Sequence, residues 1–343
     1  MTTSSACVLF LLTICGSASA ADGTTVPLEP KAYRTFELLL PQERFAEVGA
    51  GFAVPHGGSE RFTTTLEGDR LRVDLDGDGT CEALVEGETG FVTLARTATD
   101  GRSLAYSARL KREPGEPWTY SCGSAMVGQI DGVAIQVFDQ NLNGRFDDYG
   151  VDAMIVGKSI VASYLSKVVA IGDRLVSIEV AADGSSLDVA PFTGATGTLD
   201  LRSGFTCKAK LDAAIVRSTD GAYSFDAARA KAGMKVPAGE YRLEAGRIVL
   251  GESRATVRAG HAKPLVVAAD AKLEVAWGGP VTAEFAAQRD GDQIGFTPWD
   301  IWYYGRLGEE YVDFMPLGAS PTFAIKPRTA PEPILWVKFP GNC

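Results

Sequence analysis

The sequence predicts a mainly β protein of antiparallel β-sandwich modules with few short helices. Three observations carry that reading. Short runs rich in β-favouring residues dominate the chain, as in Arg70–Asp76 (RLRVDLD), Phe91–Arg96, Ser103–Lys111 and Val133–Phe138. Asp-Gly steps separate such runs at Asp100-Gly101, Asp131-Gly132, Asp183-Gly184, Asp220-Gly221 and Asp290-Gly291, and Asp-Gly tolerates the positive φ that tight hairpins need. The 38 glycines among 343 residues favour turns over long helices.

The runs continue through Arg174–Val180 (RLVSIEV), Gly197–Leu201 and Leu211–Arg217. In RLVSIEV the side chains of Leu175, Ser177 and Glu179 oppose those of Val176, Ile178 and Val180, the alternation of a half-buried strand. Ser159–Lys167 and Phe225–Lys231 are the helical candidates, and neither carries a long apolar stripe.

At roughly 100–200 residues per domain, the length suggests two or three domains. Residues 1–20 read as a signal peptide. Val8–Ile14 is an apolar run too short to span a bilayer, and Ala18-Ser19-Ala20 places cleavage before Ala21. Lipid attachment at Cys15 is the alternative, and Ile14 is bulky for the residue before a lipidated cysteine. Export to the periplasm or exterior follows, and no later stretch is apolar enough to cross a membrane. Residues 21–200 then form an N-terminal β domain, 201–278 a sandwich module and 279–343 a C-terminal β module; the last stretch could instead complete one larger sandwich.

Net charge is −10, with no basic run or arm, which excludes nucleic acid as a partner because phosphate binding needs clustered Lys and Arg. Acidity suits solubility, and it suits cation binding where carboxylates converge.

Two loops show such convergence. Asp74, Asp76, Asp78, Thr80 and Glu82 fill alternate positions of DLDGDGTCE, and Asp139, Asn141, Asn143, Arg145 and Asp147 fill those of DQNLNGRFD. Both fit D-x-[DN]-x-[DN]-G-x-x-[DE]. A hard cation such as Ca²⁺ takes oxygen from side chains at positions 1, 3 and 5, from the backbone carbonyl at position 7, here Thr80 or Arg145, and from a carboxylate at position 9. Glycine at position 6 allows the turn that makes them converge. These halves resemble EF-hand and dockerin-type loops. The bidentate Glu of position 12 is absent, since Val85 and Gly150 stand there. The flanking runs read as strands, so the loops are closer to the calcium loops of integrin-type FG-GAP blades. The resemblance covers about 15 residues at each site and implies calcium-binding β-hairpins. The first loop is the stronger, because the second has two neutral amides.

Val236–Leu243 (VPAGEYRL) resembles the strand entry of bacterial immunoglobulin-like and transthyretin-like sandwiches, where the tyrosine packs at a sheet corner. A similar Gly308–Tyr311 follows. As a whole the chain resembles exported bacterial β-module proteins that carry isolated acidic loops.

Beyond Cys7 and Cys15, four cysteines remain: Cys81, Cys122, Cys207 and Cys343. An even number in an exported chain favours disulfides, with three connectivities open. Cys81–Cys122 and Cys207–Cys343 are favoured because each pair lies within one half of the chain.

Catalytic constellations are scarce. His56 and His261 sit in turns without recognisable partners, and there is no nucleophile elbow, zinc motif or nucleotide-binding loop. The expected function is therefore a non-enzymatic, calcium-stabilised structural or binding protein with a glycan or protein ligand. The alternative is a carbohydrate-binding module or hydrolase using the Trp299–Gly305 and Glu309–Phe314 clusters, since glycosidases need only two carboxylates and aromatic rings can form a sugar platform.

Overall fold

A computed structural model describes residues 23–34, 40–52, 62–97, 103–286, 288–291, 293–295, 300–313, 322–326, 329 and 331–338. The expected signal peptide, Cys15, His56, Trp299, Phe314 and Cys343 lie outside them. The described chain is mainly β, with several antiparallel sheets and no helix of 7 residues or more.

The β-favouring runs become strands close to their expected bounds. Ser103–Lys111, Val133–Phe138 and Arg174–Val180 match them residue for residue, and Thr196–Asp200 and Lys210–Ser218 differ only at their ends. The turn chemistry also acts as expected: Asp131 and Gly132 take φ of 48° and 77° between paired strands Ser124–Ile130 and Val133–Phe138.

Three of the five buried clusters among the described residues organise most of these strands. In the first, one sheet contains Gly51–Phe52, Phe62–Glu67, Arg70–Val73 and Ala83–Val85; the other contains Ala46–Glu47, Thr119–Cys122, Ser103–Lys111 and Thr89–Thr97. Phe52, Phe62, Leu71 and Val73 from one side and Val92, Leu94, Leu110 and Tyr120 from the other share a buried cluster. The second core lies between a five-stranded sheet centred on Val133–Phe138 and a four-stranded sheet centred on Arg174–Val180 and Ser186–Pro191. Ile135, Val137, Phe146 and Met154 meet Val169, Val176 and Ile178 there.

The third core lies under an eight-stranded sheet that includes Lys210–Ser218, Gly239–Leu250 and Ser253–Arg258. Strands Thr282–Phe285, Ile301–Tyr304 and Glu310–Val312 join this same sheet. Thr196–Asp200 pairs with Met234–Pro237 and, in parallel, with Lys272–Glu274, so its chain belongs to the same region. Tyr241 is fully buried and its hydroxyl donates to the Pro237 carbonyl at 2.8 Å, a bond to the end of the preceding strand. Trp277, also fully buried, donates its indole N–H to the Leu201 carbonyl.

The expected helix over Ser159–Lys167 does not form. Residues from Val161 to Ser166 are all buried, so no polar helix face exists, and strand Ser163–Tyr164 pairs with Ala153–Met154 instead. The second helical candidate contracts to one 3₁₀ turn, Ala227–Arg229, capped by the Asp226 side chain. The expected Cys81–Cys122 bridge is not formed either. Both thiols and that of Cys207 are free. Cys122 is buried against the Ser124 carbonyl, and Cys81 is turned to the Thr63 carbonyl at 3.9 Å. Burial, with the Asp139 charge adding to it, pushes the Cys122 thiol up to about 12, which keeps it protonated and inert.

Asp200 pins the start of the third core. It is fully buried and accepts hydrogen bonds from Ser203 N–H at 2.9 Å, Ser203 Oγ at 2.7 Å and Lys272 Nζ at 2.8 Å. Burial alone would raise its carboxyl, but Lys272 and the Ser203 and Arg202 donors override it and lower it from 3.8 to about 2. A depressed folded-state value means that the stabilisation is present above the unfolded value and is lost as pH falls through the folded one. Urea titrations between pH 5 and pH 2 should therefore show a loss on the order of 2 kcal/mol from this group below about pH 4. Asp200→Asn should be destabilised at neutral pH and should lack that part of the acid slope.

Candidate metal centre

The first acidic loop is the turn of a β-hairpin. Arg70–Val73 pairs with Ala83–Val85 in the register Leu71↔Val85 and Val73↔Ala83, leaving the nine residues Asp74–Glu82 to cross over. Gly77 and Gly79 take φ of 83° and 92°, conformations that cost an L side chain strain. Each Asp then turns the backbone that follows it. Asp74 Oδ1 accepts from Gly77 N at 2.7 Å and Asp76 N at 3.2 Å, and its Oδ2 accepts from Gly79 N at 3.0 Å. Asp76 Oδ1 accepts from Asp78 N at 3.1 Å, Asp78 Oδ1 from Thr80 N at 2.7 Å, and Glu82 Oε2 from Leu75 N at 2.8 Å. These side-chain-to-backbone bonds are the local preference of Asp, and here they stack into one continuous coil.

The result is convergence. One carboxylate oxygen from each of Asp74, Asp76, Asp78 and Glu82 lies within 4.8 Å of the others. Asp74 is fully buried at the base, while the other three are exposed at the rim. Among the described residues none of the four has a Lys or Arg partner. Arg70 and Arg72, the nearest in sequence, pair with Glu67 and Glu86. Two like charges about 4 Å apart repel by about 4 kcal/mol at an effective dielectric of 20, so a bound cation would relieve several such contacts. Burial opposes ionisation of Asp74, yet the Gly77 and Gly79 N–H donors hold its carboxyl below the ordinary value. The buried carboxylate is thus kept charged. Val85 is 7% exposed and sits in the first core, so nothing stands where an EF-hand has its bidentate Glu.

The second loop folds differently. The ladder between Val133–Phe138 and Ala153–Val156 ends at Phe138↔Ala153, so the crossover runs from Asp139 to Asp152, fourteen residues. Phe146, 1% exposed, anchors it in the second core. Asp139 is fully buried and accepts from Asn143 N at 3.1 Å and Gly144 N at 2.7 Å. The side-chain amides of Asn141 and Asn143 both donate to Asp148 Oδ2, the former at 2.9 Å. Arg145 is exposed and its guanidinium holds Asp147 Oδ2 at 2.6 Å. Burial dominates the titration here. It raises Asp139 to about 6, against the Gly144 and Asn143 donors, and it raises Asp152 to about 8 with the Asp139 charge adding to the shift. Only the first loop brings three or more carboxylates within 4.8 Å of one another among the described residues.

Asp148 and Asp152, the acids nearest Gly150 at the vacant twelfth position, lie outside the expected ligand set. The signal that finds them is the length between paired strands, which a nine-residue pattern ignores. In the C-terminal cluster, Tyr303 packs on the third core, Trp302 is 37% exposed, and Tyr304 lies 4.3 Å from the His261 ring. His261 Nε2 also lies 3.6 Å from Glu284.

No protein-family model matches the chain, and no curated protein or solved structure was found similar to it.

The coil of the first loop makes a prediction that needs no cation. Asp74→Asn replaces one of two buried accepting oxygens with a donor that faces N–H groups. It should cost about 1–3 kcal/mol in chelator. Asp78→Asn, at the exposed rim and with its accepting Oδ1 retained, should cost less than about 0.5 kcal/mol under the same conditions. Urea denaturation in EDTA measures both.

Proposed function

We propose that this is an exported, calcium-braced β protein that supports or binds other molecules without catalysing a reaction. The single observation that carries the proposal is the convergence of Asp74, Asp76, Asp78 and Glu82 in a hairpin turn with no basic partner among the described residues. The donor set is oxygen only, which suits a hard cation and disfavours Zn²⁺ or copper. Four acids around one turn suit Ca²⁺, which accepts six to eight oxygens, better than Mg²⁺, which demands a near-ideal octahedron. Extracellular calcium modules work at about 10⁻⁴–10⁻³ M, and the apolar Val8–Ile14 followed by Ala18-Ser19-Ala20 supports export. The scarcity of histidine, two residues in the chain, supports a non-enzymatic role.

Bracing has a mechanical meaning here. The loop ties Val73 to Ala83, and both strands pack in the first core through Leu71, Val73 and Val85. A cation that binds only the folded hairpin adds RT ln(1 + [L]/Kd), about 2.7 kcal/mol at a hundredfold excess over Kd.

Trp302 supports a second reading, a carbohydrate-binding or hydrolytic role, because it is partly exposed directly across the ladder from Glu284. Glycan-array binding lost in Trp302→Ala with an unchanged melting temperature would favour it.

Thermal melting in millimolar CaCl₂ against EDTA tests the first reading. The wild type should melt several degrees higher with calcium, and Asp76→Asn/Asp78→Asn should lose most of that increment. Equal melting temperatures of the wild type in both buffers would sink the calcium assignment.

A further inference from the structure

We propose that the hairpin crossover from Asp139 to Asp152 is a second divalent-cation centre, closed across the strand ladder by Asp152 and completed by Asp148, with Asp147 left to Arg145. It stands on residues separate from the first loop.

The ladder carries the argument. In the first hairpin the last pair is Val73↔Ala83, and one further step sets Asp74 opposite Glu82, two members of the converged cluster. In the second the last pair is Phe138↔Ala153, and the residues next to that pair on the crossover side are Asp139 and Asp152. Directly opposed residues of an antiparallel pair project from the same face with Cβ atoms about 4.5–5.5 Å apart. By position in the ladder, the counterpart of Glu82 is therefore Asp152, five residues beyond the Asp147 that sequence spacing selects.

A second observation points to a ligand. Asp139 and Asp152 are both fully buried, and neither has a Lys or Arg partner among the described residues. Asp152 Oδ2 accepts the Asp148 N–H at 3.2 Å, but its Oδ1 is buried with no hydrogen-bond partner at all. A buried oxygen of this kind is costly and calls for a partner. Its nearest counterpart across the ladder is another carboxylate, and two like charges so placed repel. A hard cation between them satisfies the free oxygen and removes the repulsion in one step. Further oxygen donors are already gathered: Asn141, Asn143 and Asp148 meet through their side chains. Asp147 also has one unpartnered oxygen, but its other is held by the Arg145 guanidinium, which already neutralises that carboxylate.

Isothermal titration of the full chain with CaCl₂ tests this centre apart from the first loop. Asp76→Asn/Asp78→Asn silences the first site and should leave binding with a stoichiometry of one. In that background Asp152→Asn should weaken affinity about tenfold or more, and Asp147→Asn less than about threefold. Asp148→Asn, which is only half-buried, should also weaken it about tenfold, and it serves if Asp152→Asn loses its near-ultraviolet circular dichroism. Three results would overturn the proposal: no residual binding in the background variant, Asp147→Asn more damaging than Asp152→Asn, or unchanged affinity in a folded Asp152→Asn or Asp148→Asn chain. The last would mark Asp152 as a protonated structural acid only. Unequal stoichiometry between the wild type and the background variant reports on the first loop alone.

Discussion

Two strand ladders end on a buried aspartate, and that constraint shapes the rest of the candidate chemistry. Val73↔Ala83 and Phe138↔Ala153 are the last paired residues of their hairpins. Each is followed by an aspartate with no exposed surface, Asp74 or Asp139. A carboxylate fixed at the mouth of a hairpin must be stabilised by donors, neutralised by a proton or met by a cation. The first hairpin supplies donors from Gly77 and Gly79 and keeps Asp74 charged. The second has a longer crossover and a second buried acid, so burial wins and the carboxyls are pushed up. The same ladder geometry thus produces two electrostatic states.

Both hairpins are rooted in cores, which is what gives local ordering a global effect. Leu71 and Val73 belong to the first core, and Phe146 carries the second crossover into the second. The second crossover also touches the third region: Gly150 O accepts from Arg217 Nη1 at 2.7 Å, and Arg217 lies over the Tyr164 ring. The link from an acidic loop to distant strands is therefore packing and a few named hydrogen bonds.

Much of the fold was legible in the sequence because period-two alternation and turn chemistry act locally. Arg174–Val180 announces its two faces directly, and Asp131-Gly132 takes the turn its residue types favour. The first loop was legible for the same reason, since all its converging carboxylates lie within nine residues and each Asp folds the next turn. Illegible features depended on partners far along the chain. Ser159–Lys167 looked helical, yet Val161–Ser166 is buried throughout, with Val161 and Tyr164 packed against Ala213 and Ile215 and the Tyr164 N–H donating to Ser224 Oγ. Cys81 and Cys122 looked pairable by spacing, but Cys122 points into a core shared by two sheets. Asp148 and Asp152 stand near the vacant twelfth position in the sequence, but the place of Asp152 is fixed by register across a fourteen-residue crossover, which a spacing pattern along the chain does not read.

A crystal structure of the full chain grown in millimolar calcium measures the central claim most directly. The account predicts one strong peak in the first hairpin at about 2.3–2.6 Å from oxygens of Asp74, Asp76, Asp78 and Glu82 and from the Thr80 carbonyl. Clear density for that hairpin with only water among the four carboxylates, and Asp74 held by backbone N–H groups alone, would contradict it.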